Sequence, residues 1–174
     1  MQLLTEKYRK IAFFTALCMT LSAVEYLIPK PVPFLRIGLA NLPLILGLGV
    51  FTFPQILLLA LMKILAQSLI HGTLFSYPFL FSFFGTYASV GIMFLIYHLP
   101  DKSVSLIGVS LAGALASNSV QLVLSMILLF GSGAYLIAPL LFGIGTAGAL
   151  LLGVFAEAFR NESKWYTAVR NGRE

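Results

Sequence analysis

The chain has 174 residues, of which 59% are hydrophobic and only 10% charged, and its mean hydropathy is +0.97. A soluble domain carries about 25% charged residues, so a soluble enzyme or binding module is excluded. The net charge of +5 comes mostly from the two chain ends, which is what membrane orientation produces, and no nucleic-acid partner is expected. Several apolar runs approach or exceed the ~20 residues needed to cross a hydrocarbon core. Lipid admits only helices or closed barrels, and these runs do not alternate as barrel strands do. The expected fold is all-α, an integral membrane bundle of about six transmembrane helices. It forms a single transmembrane domain over residues 1–174, with a polar flank at 1–10 and a polar tail at 160–174.

The flank carries Lys7, Arg9 and Lys10, and the first span follows at Ile11–Ile28. Pro29–Leu35 connects it to a second span at about Arg36–Phe51, which is short for a crossing. Three prolines stiffen that entry, because proline fixes φ and pushes the preceding residue toward extended backbone. Thr52–Pro54 is a tight turn into a third span ending at Ile70. The fourth span is Tyr77–Tyr97, the fifth Val104–Phe130 and the sixth Ala134–Phe159. Cys18 lies inside the first run and serves as a small packing residue.

An even number of spans puts both basic chain ends on one side, and the positive-inside rule makes that side cytoplasmic. Lys30 and Arg36 then fall outside, against the rule. Either they anchor the interface, or they face an anionic or carbonyl-bearing solute.

Ionisable and polar groups inside the spans carry the rest of the signal, since each is costly in lipid. Lys63, Gln67 and His71 follow at four-residue steps and share one helical face. Lys63 either fixes packing within the bundle or faces a solute. Glu25 is the acid placed to reach it, or to reach Arg36. In the fifth span Asn118, Gln121 and Ser125 share a face, beside Ser117. These groups either bond helix to helix or form an amide pair for a solute. The aromatic run from Phe75 to Tyr87 reads mostly as interfacial belt and lipid-facing surface, with one or two rings available to close over a planar ligand. Ala12, Ala16 and Ala23 form a small-residue stripe, as do Gly145, Ala149 and Gly153, and such spacing allows close helix approach.

Only six acids are present, with no aspartate-rich pair for a Mg²⁺-diphosphate. There is no P-loop and no Cys/His metal cluster. Neither a catalytic residue, nor a metal, nor a cofactor is expected of this chain.

The basic first span with Ala12-x-x-x-Ala16, the outer loop leading into Arg36–Pro43 (RIGLANLP) and the short spans resemble the substrate-binding S components of energy-coupling factor (ECF) transporters. More closely, nearly the whole chain resembles the small membrane family labelled both "Gx transporter" and "heptaprenyl diphosphate synthase component I". The resemblance implies a non-catalytic subunit in the cell membrane that binds a small solute at its outer side. It implies partners as well, a transmembrane T subunit and ATPase subunits, with Ala12 and Ala16 at the docking face. It also puts Arg36 and Asn41 near the pocket. With the polar faces above, the expected substrate-binding residues are Arg36, Asn41, Lys63, Gln67, His71, Asn118 and Gln121. The alternatives are a membrane partner of an enzyme in isoprenoid, quinone or flavin metabolism, and a purely structural subunit.

Overall fold

The computed structural model describes residues 2–27, 38–99 and 104–170. Arg36, Lys30 and the connection at 29–35 lie outside them, as do Asp101 and Lys102. The described residues form helices and turns, with no strand among them. Seven α-helices follow in order: α1 (Gln2–Leu27), α2 (Leu42–Gly47), α3 (Phe53–Ile70), α4 (Tyr77–Tyr97), α5 (Leu106–Ser125), α6 (Ala138–Glu162) and α7 (Lys164–Arg170). Among the described residues, four segments are long and apolar enough to cross a membrane: α3, α4, α5 with its extension to Leu136, and α6. Their outward surfaces are apolar, with Phe84, Leu95, Leu151 and Phe155 all exposed, as a lipid-facing surface requires.

α1 is longer than the expected first span. Its polar flank continues the helix, because Lys, Arg and Glu are good helix formers. α3 and α4 match expectation to within a residue. A side-chain bond from Gln55 back to the Thr52 N–H, 2.8 Å long, fixes the start of α3.

The expected second span is corrected. Its described part is a 3-10 turn at Leu39–Asn41 followed by the six-residue α2. Gly38 sits at φ +92°, a left-handed conformation that suits glycine, and it precludes a helix running through it. Pro43 then starts α2, where its missing N–H costs nothing. After Gly47 the chain turns, Phe51 N–H donating to Gly47 O at 2.8 Å. This short segment is nevertheless almost wholly buried, from Ala40 through Leu48. It fills the bundle interior, where a single short crossing helix was expected.

The fifth and sixth spans are corrected at their junction. α5 passes at Ser125 into a π turn, Met126–Phe130, and then a 3-10 stretch, Gly131–Leu136. Pro139 occupies the first turn of α6, which therefore begins four residues later than expected. α5 and α6 pack closely. A Cβ at Gly153 would come within 2.7 Å of the Ile107 Cα.

Both described chain ends meet at one end of the bundle. Lys10 Nζ donates to Val169 O at 3.4 Å, and the Phe13 and Trp165 rings lie 5.4 Å apart. Tyr166 is buried here, and its hydroxyl donates to Leu46 O at 2.7 Å. α7 is thus pinned to the end of α2. Burial, with Tyr97 adding to it, pushes the Tyr166 phenol up from 10 to about 12. A phenol raised in this way stabilises the fold fully below its unfolded value, and the contribution is lost as pH rises through the folded one. Trp165 is the sole tryptophan and reports on α7. Its emission should change between pH 10 and 12, and Tyr166→Phe should abolish that step. Tyr166→Phe also strands a buried carbonyl, at a cost of about 1–3 kcal/mol, read as a lower melting temperature. An unchanged emission titration in the variant would mean that Tyr166 does not hold α7.

Candidate functional site

The site is built around the short buried segment after Gly38. The Gly38 N–H donates to Glu25 Oε2 at 3.2 Å, which ties this turn to the upper part of α1. Asn41 N–H closes the turn onto Gly38 O at 2.7 Å. This sets the Asn41 side chain facing α3, where Lys63 Nζ donates to Asn41 Oδ1 at 2.5 Å. Lys63 is 5% exposed and Glu25 2%. A lone charge at such depth costs several kcal/mol, and an acid and a base sharing one space offset part of that. Gln67, one turn above Lys63 on the same face, is buried too. Glu25, Lys63 and Gln67 each have further partners beyond these bonds.

These groups open onto an internal cavity of about 70 Å³. A single water needs only ~10–15 Å³ on this measure, so the space suits a small solute. The opposite wall is α5. Asn118 is buried and its Nδ2 donates to the Leu141 carbonyl of α6 at 3.1 Å. Gln121 Nε2 donates to Ser117 Oγ at 2.9 Å. Between the two walls stands α4, which contributes Ser82, Thr86 and Ser89 with Phe81 and Met93.

Of the residues expected at the site, Asn41, Lys63, Gln67, Asn118 and Gln121 all line this one cavity. His71 does not belong to its walls. It is the residue that ends α3, a full turn beyond Gln67, where the shared face has already left the cavity. Arg36 lies outside the described residues. Ser125 turns back on its own helix, donating to Gln121 O at 2.8 Å. Ala12 and Ala16 are exposed on α1.

The α4 wall was missed in the sequence. Ser82, Thr86 and Ser89 stand at i, i+4 and i+7, the spacing of one helical face. The surrounding phenylalanines drew attention instead, and only Phe81 among them is a buried ring facing the cavity. The glycine within Arg36–Pro43 marks that motif in the sequence, but its left-handed turn at Gly38 was not read from it.

The sequence profile of the heptaprenyl diphosphate synthase component I family matches residues 14–159. No curated protein and no solved structure matches the chain. The matched stretch includes every cavity-lining residue, from Glu25 to Leu152. By this match over most of its length, the chain belongs to the heptaprenyl diphosphate synthase component I family.

Proposed function

We propose that this chain is the substrate-binding membrane subunit of a multi-subunit importer of the ECF type. It captures a small solute and has no catalytic role of its own. The observation that carries this reading is the cavity. An acid, a base and four amides converge on one space inside an apolar bundle. Polar groups are expensive there unless they are partnered or used.

Orientation supports the same reading. The chain ends share one end of the bundle, and their cations make that end cytoplasmic by the positive-inside rule. The turn at Gly38 and the wall residues above Lys63 then face outward, toward an external solute. The sequence carries no P-loop, so ATPase subunits would supply energy through a transmembrane T subunit. The exposed Ala12 and Ala16 would be the positions where that subunit's helix comes close. Ala12→Leu or Ala16→Leu should abolish assembly with such a partner and leave solute binding by the isolated chain unchanged. Co-purification that survives both substitutions would remove this face from the docking surface.

A second reading is favoured by the family's own description. There the chain would be a membrane partner of an enzyme that makes prenyl diphosphates. Affinity purification from native membranes in mild detergent separates the two. The importer reading expects ATPases and a second membrane protein to come with the chain. Recovery of a prenyl diphosphate synthase without ATPases would overturn it in favour of the second.

A further inference from the structure

We infer that the solute is a compact, net-neutral molecule carrying an N–H donor and a carbonyl-type acceptor on its edge, and that multiply charged anions such as prenyl diphosphates are excluded. This rests on the capture reading and gives that cavity its solute class.

The orientation of Asn118 is the first support. Its neighbour is the backbone carbonyl of Leu141, which can only accept, so the atom facing it must be the amide nitrogen. The amide oxygen is then what Asn118 has to offer a solute, and an oxygen seeks a donor. Gly145 makes this seat possible, since a Cβ there would fall 2.1 Å from Asn118 Nδ2. Glycine is the residue that lets α6 come this close to the amide. Gln121 has its Nε2 engaged with Ser117, and it adds a second carboxamide oxygen to the same wall.

The far wall has the opposite character. Lys63 is a donor only, held in place by Asn41, and it suits an acceptor on the solute. Glu25 lines the same cavity. The ionised forms of Glu25 and Lys63 cancel, and no other charged side chain lines the cavity among the described residues. Among the described residues, a diphosphate would bring several negative charges to one ammonium and face a carboxylate as well. Between the two walls, Phe81 and Met93 give an apolar surface and Thr86 and Ser89 give hydroxyls. That middle fits a flat body with a polar edge.

The test uses the full chain purified in detergent and isothermal titration with matched probes. Uracil and benzamide are neutral rings with an N–H and a carbonyl. Orotate and benzoate are their carboxylate counterparts, and isopentenyl diphosphate is the charged isoprenoid. At least one neutral probe should bind, and its carboxylate counterpart should bind at least about tenfold more weakly. Asn118→Leu should weaken the neutral probe by a similar factor. Gln121→Leu provides a second variant should Asn118→Leu fail to fold, with Trp165 emission as the check on folding. Tighter binding of isopentenyl diphosphate or of a carboxylate probe would overturn the assignment. So would a protein that retains a small molecule through purification yet ignores both neutral probes, although capture itself would stand. A chain that retains nothing and binds none of the five probes would overturn the capture reading together with this one.

Discussion

Lys63→Met should lower solute affinity at least about tenfold, or about 1.4 kcal/mol, while the protein stays folded in detergent. Lys63 lies 10 residues into α3 from Phe53, deep enough for its ammonium to be desolvated. Its bond to Asn41 Oδ1 joins the α3 wall to the buried turn after Gly38, so its loss also frees Asn41. Methionine keeps the apolar volume and removes the donor. The turn itself should persist, because Glu25 still accepts the Gly38 N–H. A lysine that only fixed packing would behave differently. Its replacement would leave affinity unchanged and lower only the melting temperature, since removing one member of a buried acid–base pair leaves the other charge uncompensated. Melting temperature and affinity measured on the one variant decide between these outcomes.

Gly145→Ala should cost both stability and binding. The new Cβ would overlap the Asn118 amide at 2.1 Å, far inside van der Waals contact. Either α6 moves away from α5, or Asn118 leaves the Leu141 carbonyl. Overpacking of this kind costs about 1–3 kcal/mol. Displacing the amide also removes the acceptor from the α5 wall, so affinity should fall at least about tenfold. Gly143 serves as the control, because a Cβ there meets nothing within 4 Å. Gly143→Ala should leave both quantities close to wild type. Equal effects from the two substitutions would mean that Asn118 is not seated by Gly145.

Some of this site could be read from the sequence, and specific physical reasons hid the rest. Lys63 and Gln67, and Asn118 and Gln121, were legible because intramembrane polar residues are rare and helical spacing groups them. The structure brings both pairs to one cavity, a placement that spacing within single helices cannot supply. His71 followed the same spacing but falls where α3 ends, since a helical face extends only as far as its helix. Ser82, Thr86 and Ser89 were overlooked because hydroxyls cost little in a helix, which can bond them to its own carbonyls. The stretch after Arg36 was read as a span from its hydropathy. Hydropathy does not register the left-handed Gly38, and a buried interior segment is as apolar as a lipid-facing one. α7 was read as a polar tail, yet Tyr166 and Val169 anchor it by burial. The aromatic among polar neighbours was the sign of that anchoring.

The most direct measurement is native mass spectrometry of the detergent-purified chain, compared with Lys63→Met and Gly145→Ala prepared in the same way. The wild-type protein should carry a bound small-molecule mass that is released on gentle activation, and both folded variants should lack it. A wild-type chain without any such mass after incubation with a cell extract would contradict solute capture by this cavity. The same mass retained undiminished by both variants would contradict it equally.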